Sequence, residues 1–216
     1  MIMINKTKPE TLEGDAAVGV VRALQTGGRG LRFVEAFIRE PLVVGSLWPS
    51  SSSLSRAVVD SCDFQPGATV VELGPGTGAF TELLLKRLAG RGRLLALEIS
   101  DTNVAVLRRR FAPCEIIHDS AEYLSRYVDR HSADCIISGL AWGTMAPALQ
   151  DRIFDAMLAS LARDGQFVAF GYIHAKWFPT SRRFRRRLLD HFPHVEATPI
   201  VWRNLPPAFV YRCWRG

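Results

Sequence analysis

The chain has 216 residues, 48% of them hydrophobic and 22% charged, which suits one well-cored domain and is short for two. Its formal charge of +6 points to an anionic partner, nucleic acid or a lipid surface, without choosing between them. No apolar run approaches the ~20 residues of a membrane span. The start MIMINKTKPETLEGD lacks a signal-peptide core, and Cys62, Cys114, Cys135 and Cys213 are too scattered for a zinc site. The expectation is a cytoplasmic protein with reduced core cysteines and no metal.

In chain order, residues 1–64 read as a helical extension, a lid or membrane contact, ahead of a core at 65–216, the whole forming one structural domain. Within the extension Ala17, Val20, Val21 and Leu24 share a helical face, Gly27, Gly28 and Gly30 interrupt it, and Leu31, Val34, Phe37 and Ile38 resume it. Short β-branched runs then alternate with helical periodicities. Strands are predicted at 68–73, 93–99, 114–119, 134–140 and 165–173, and helices at 81–90, 101–111, 120–130 and 147–165. Regular alternation of this kind implies an α/β fold with a parallel sheet. The tail differs, because HVEATPIVWRN and PAFVYRCWRG are separated only by LPP, too short for a crossover helix, so they form an antiparallel hairpin if both are strands.

The stretch VVELGPGTGAFT, residues 70–81, ends the first of these strands on Glu72 and follows it with Gly74, Gly76 and Gly78. At the carboxyl end of such a strand, missing Cβ atoms let backbone amides approach a ligand. The spacing G-P-G-T-G is not G-x-G-x-x-G, which argues against a pyrophosphate and for a nucleoside with a smaller charged tail. Glu98 at the end of the second strand suits the two ribose hydroxyls, and Asp119 at the end of the third suits an adenine amino group. Together the three strand ends predict S-adenosylmethionine as cofactor.

This block resembles motif I of S-adenosylmethionine-dependent methyltransferases, and the resemblance covers residues 65–216. It implies a Rossmann-like class I fold, a mostly parallel seven-stranded sheet closed by the C-terminal antiparallel hairpin and preceded by the helical extension. With the flanks GSLWPSSSSLSRAVVD (45–60), SGLAWGTMAP (138–147) and VWRNLPPAFVYR (201–212), the chain resembles the bacterial phospholipid N-methyltransferases, which methylate phosphatidylethanolamine toward phosphatidylcholine. The ribosomal-RNA adenine dimethyltransferases are also similar, but carry an N-[LI]-P-[YF]-type segment where this chain reads Ser138-Gly139-Leu140-Ala141-Trp142. That departure makes nucleic acid the lesser expectation as a partner.

The phospholipid resemblance implies a cofactor set of Ser50, Ser51, Glu72, Gly74, Gly76, Gly78, Glu98, Asp119, Ser138, Gly139 and Leu140. The serines at 50–53 would face the methionine carboxylate from a helix N-terminus, or else only cap that helix. Methyl transfer from a sulfonium to an amine mainly needs alignment, a dry pocket and an acceptor for the amine's proton, for which Tyr172 and His174 are candidates. Aromatic faces tolerate a quaternary ammonium product, so Trp48, Trp142, Tyr172 and Trp177, with Asn204 of the N-L-P-P run, are the expected acceptor-binding residues. WFPTSRRFRRRLLDHF (177–192) places Arg182, Arg183, Arg185, Arg186 and Arg187 near a helix start, where an anionic leaflet would offset their charge. The expected partners are therefore an anionic membrane surface, at the inner face of the membrane, and an aminolipid. Another aminolipid such as ornithine lipid, ribosomal RNA, and a cofactor-binding module without turnover are the alternatives.

Overall fold

The structure is a computed structural model that describes residues Ile2–Met3 and 51–215. The predicted helical unit at 17–40, with Trp48 and Ser50, lies outside the described residues. The elements in chain order are β1 (Ile2–Met3), α1 (Ser52–Asp60), β2 (Thr69–Leu73), α2 (Ala79–Leu88), β3 (Arg93–Glu98), α3 (Asp101–Arg110), β4 (Glu115–His118), a 3-10 helix (Ala121–Arg126), β5 (Ala133–Ser138), α4 (Pro147–Ser160), β6 (Leu161–Tyr172), α5 (Pro179–His191), β7 (His194–Ala197) and β8 (Ala208–Trp214).

One sheet runs in the order β1-β7-β8-β6-β5-β2-β3-β4. β4, β3, β2, β5 and β6 pair in parallel, while β8 runs antiparallel between β6 and β7. This is the seven-stranded, mostly parallel sheet that the sequence predicts, with the two residues of β1 added antiparallel along β7.

The sheet is buried on both faces, so its central strands read as nearly continuous apolar runs. Side chains of alternate residues enter opposite layers. Val71 and Leu73 join a core with Phe154, Phe184 and Leu188 from α4 and α5, while Val70 joins one with Leu54, Leu84 and Leu107 from α1, α2 and α3. Helix α1, assigned by sequence to the extension, thus packs into the same core as α2 and α3. The four cysteines are buried and free.

Local chemistry sets the helix ends. Ser51 caps α1 by accepting from the Leu54 amide at 3.1 Å, and Ser100 caps α3 by accepting from the Asn103 amide at 3.4 Å. Lys86 and Arg87 close α2, and Arg108 to Arg110 close α3, where cations complement the dipole. Prolines 147 and 179 stand at the first positions of α4 and α5, where the missing amide costs nothing.

Three expectations are corrected. The helix predicted at 147–165 stops at Ser160, and β6 begins at once because Leu161 pairs with Ala133 beside a bulge. The helix predicted at 120–130 is a 3-10 turn kinked at Tyr123, with the Tyr123 amide on the Ser120 carbonyl at 2.9 Å. The first hairpin strand ends at Ala197: Thr198 still donates its amide to the Val210 carbonyl at 2.9 Å, but Pro199 has no amide to give, and pairing resumes at the Val201–Ala208 bridge.

Candidate functional site

The parallel strands all end at one edge of the sheet, and the residues singled out by sequence gather there. Gly74, Gly76 and Gly78 have φ of 70°, 56° and 86°, a left-handed backbone that other residues resist. They are required for different reasons. A Cβ on Gly74 would sit 2.6 Å from Leu140 Cδ2, and one on Gly78 would strike the Phe111 ring, so these two are packing requirements. A Cβ on Gly76 would meet nothing within 4 Å. Gly76 is the position where the loop opens onto free space.

Glu98 is the anchor of this loop. Its Oε2 accepts from the Gly76 amide at 2.9 Å, and its Oε1 accepts from the Ile99 and Ser100 amides at 3.0 and 2.9 Å. Sequence reasoning treated Glu98 as a ligand acceptor and missed this tie between β3 and the glycine loop, for which no spacing signal exists. Charge-assisted bonds to three amides hold the carboxylate rigidly while leaving lone pairs for a ligand hydroxyl.

Glu72 is fully buried behind the loop. Its Oε2 accepts from the Thr81 hydroxyl at 2.6 Å, and its Oε1 has no hydrogen-bond partner among the described residues. Burial, outweighing the Thr81 bond and reinforced by nearby Glu98, pushes its carboxyl up to about 7. A buried carboxyl oxygen without a partner is costly unless something polar completes it.

Asp119 is engaged on both oxygens. Oδ1 accepts from the Ser120 amide at 2.8 Å and Oδ2 from the Tyr127 hydroxyl at 2.6 Å, and these bonds, with Tyr127 first, hold its carboxyl below the ordinary range. The Tyr127 latch was not read from sequence.

Beyond β5, Ser138 Oγ accepts from Trp142 Nε1 at 2.9 Å and from the Leu140 amide at 3.3 Å, while the Gly139 amide donates to the Leu73 carbonyl at 2.7 Å. Ser138, Gly139 and Leu140 thus shape the wall on which Gly74 rests. Trp142, expected to face an acceptor, is a core residue at 2% exposure, stacked on Phe184 at 4.4 Å and edge-on to Phe154 and Phe167. The Ser138 bond satisfies its indole N–H, which lets the ring turn inward.

Asn204 is also corrected to a structural place. Its Oδ1 accepts from the Ser51 amide at 3.1 Å and its Nδ2 donates to the Pro206 carbonyl at 2.7 Å. The Ser51 hydroxyl is committed to its own cap. The serine run and the N-L-P-P run, read separately in the sequence, are one contact in the fold. Tyr172 stacks on His174 with ring centroids 5.6 Å apart and meets Phe170 edge-on, and His174 meets Phe178 edge-on. Burial pushes the Tyr172 phenol up to about 12 and lowers the His174 imidazole.

Residues 70–165 match the family model described as a methyltransferase domain. The ornithine lipid N-methyltransferase of Singulisphaera acidiphila is 30% identical over 187 residues, covering 84% of this chain and 93% of that protein. The chain belongs to the class I S-adenosylmethionine-dependent methyltransferases. Ribosomal RNA small subunit methyltransferase A of Cupriavidus metallidurans is 41% identical over 162 residues, 70% of this chain and 56% of that protein. Among solved structures, geranyl diphosphate C-methyltransferase from Streptomyces coelicolor, in complex with S-adenosyl-L-homocysteine, shares the fold with TM-score 0.58 at 14% identity, covering 76% of both chains.

S-adenosylmethionine is the cofactor of this methyltransferase, and the site fits it. Gly76 leaves open space at the strand ends, the Glu98 carboxylate stands beside it, and Glu72 Oε1 has no hydrogen-bond partner among the described residues, an arrangement that a nucleoside with a cationic tail would suit.

The arginine row on α5 divides in two. Arg183 donates to both oxygens of Asp151 at 2.8 and 2.7 Å, and Arg187 pairs with Asp151 and Asp155 while lying over the Phe154 ring. These two are neutralised by α4 and are corrected from membrane contacts to helix–helix ties. Arg182, Arg185 and Arg186 have no ion pair among the described residues. Trp177 is 59% exposed just before α5.

Proposed function

We propose that the chain is an N-methyltransferase acting on the amine head group of a membrane lipid, either ornithine lipid or phosphatidylethanolamine and its methylated forms. The observation that carries this is the likeness to an ornithine lipid N-methyltransferase through 93% of that protein, which spans acceptor-side and cofactor-side segments alike. The phosphatidylethanolamine reading rests on the serine and N-L-P-P runs described above.

In this reading Gly76, Glu98, Asp119 and Ile99 hold the adenosine. Ile99 leaves its apolar side chain exposed directly after Glu98, beside the glycine loop, as a platform for a flat ring. Glu72 faces the cofactor's charged tail. When bound, the cofactor supplies a methyl carbon activated by its sulfonium. An acceptor amine would have to present its free lone pair to that carbon and give up a proton to a group of the protein. His174, neutral at pH 7 because burial lowers its pKa, takes that proton. Tyr172 keeps its own proton to about pH 12 and so orients the amine by hydrogen bonding instead. The Phe170, Tyr172, His174 and Phe178 rings offer faces to the quaternary product.

A ribosomal-RNA acceptor is the second reading, supported by the 41% identical relative. Against it, the segment after β5 buries its one aromatic ring, Trp142, where a flipped base would need a stacking face.

The test offers labelled S-adenosylmethionine to purified protein with ornithine lipid, phosphatidylethanolamine or ribosomal RNA in parallel. Label is expected in lipid, with a rate that falls on acidification at a pH lower than an ordinary imidazole would set, and that loses this limb in His174→Gln. Label in RNA alone would overturn the lipid reading.

A further inference from the structure

Among the described residues, five large apolar side chains are exposed: Ile99, Tyr123, Trp177, Trp202 and Leu205. All five belong to the connections at the carboxyl edge of the parallel strands, four in loops and Tyr123 in the 3-10 helix. Ile99 follows β3, Tyr123 follows β4, Trp177 follows β6, and Trp202 and Leu205 precede the antiparallel β8. Ile99 and Tyr123 flank the cofactor side. The other three sit beyond the acceptor side and serve nothing in the site described above except the candidate role of Trp177.

Their two segments meet. The Ile173 amide donates to the Pro207 carbonyl at 3.0 Å, and Ala208 pairs with Tyr172, so loops 173–178 and 198–207 leave the sheet side by side. Trp177, Trp202 and Leu205 are 59%, 51% and 46% exposed. Neither loop contains an acid, and together with the first turn of α5 they carry Lys176, Arg182 and Arg203, none of them in an ion pair among the described residues. Exposed tryptophans and a leucine on the same loops and first helical turn as these cations, with Lys176 lying over the Trp177 ring, fit an interface that is apolar within and anionic at its surface. A nucleic acid would match the charge but would not reward an exposed leucine.

We propose that loops 173–178 and 198–207 are the edge by which this protein docks on an anionic bilayer. Trp177, Trp202 and Leu205 enter the head-group layer, and Lys176, Arg182 and Arg203 face its anionic lipids. The inference rests on the aminolipid reading and deepens it, since this edge opens directly beside Tyr172 and His174 and lets a head group enter without leaving the membrane. It also moves the contact from the α5 arginine row, two members of which α4 neutralises, to the hairpin loop.

The test uses the full chain and vesicles of phosphatidylglycerol and phosphatidylcholine, which contain no amine acceptor, so docking is read apart from turnover. Cosedimentation is expected to weaken with salt, and tryptophan fluorescence to be quenched by lipids brominated near the head group. Trp202→Ser/Leu205→Ser and Trp177→Ser should each lower partitioning about tenfold or more while the heat of cofactor binding shows the fold intact. Wild-type partitioning in the Trp202→Ser/Leu205→Ser variant would overturn the proposal, as would quenching by structured RNA with no binding to vesicles. If docking holds and no detergent-dispersed aminolipid is methylated, the acceptor reading fails alone.

Discussion

The two halves of the sheet's carboxyl edge are built from different forces. Around β2, β3 and β4, buried or half-buried carboxylates are fixed by backbone amides and hydroxyls, as Glu98 is by three amides and Asp119 by Tyr127. Around β6 and β8 the edge is aromatic and cationic, with Tyr172 and His174 stacked and Trp177, Trp202 and Arg203 exposed. Directional bonds suit a ligand of fixed shape, and stacked rings with loose charge suit one that varies, as the proposed aminolipid acceptor would. The boundary between them is Ser138 to Trp142, where a hydroxyl and an indole tie the glycine loop to the aromatic core.

That boundary is where the contrast is most easily broken. Trp142→Ala should cost about 4 kcal/mol of stability in urea unfolding, because it empties the stack against Phe184. If the variant instead folds normally and only its acceptor KM rises, Trp142 belongs to the aromatic edge after all. Glu98→Ala, which frees the Gly76 amide, should weaken cofactor binding about 100-fold, or roughly 3 kcal/mol, in calorimetry. Unchanged affinity would mean that the loop holds its shape alone.

Glu72 sharpens the comparison through pH. The unfolded carboxyl ionises near its ordinary 4.5 and the folded one only near 7, so its contribution to stability is complete below pH 4.5 and is lost as pH rises to about 7. Without cofactor, Glu72→Gln should flatten that window by about 3 kcal/mol relative to wild type. Parallel stability curves would sink the assignment. Asn204→Ala should have the smallest effect, about 1–2 kcal/mol in the same unfolding measurement, with head-group discrimination unchanged. A shift in acceptor preference would return Asn204 to the binding set.

The contrast also explains what the sequence made legible. Motif I was readable because a left-handed turn restricts its residues to glycine, and the strands were readable because burial on both faces demands continuous apolar runs. The helix expected at 147–165 overruns α4 by five residues because its periodicity continues into β6, and only the pairing of Leu161 with Ala133 ends it. Trp142 and Asn204 were misplaced for a shared reason: an indole N–H or an amide can serve a ligand or the fold equally well, and a partner 4 residues away in one case and 153 in the other decides which. The arginines of α5 looked alike until Asp151 and Asp155, on a different helix, separated Arg183 and Arg187 from the rest.

The Ser51–Asn204 bond has a consequence for biogenesis. Its partners are 153 residues apart, so during translation the Ser51 amide cannot reach this acceptor until the chain through Asn204 has left the ribosome. Contacts of such long separation close late and carry a large loop entropy. The tie between α1 and the loop before β8 is therefore made only after strands β2 to β6 have been synthesised, and a chain truncated before Asn204 would emerge with that tie unfastened.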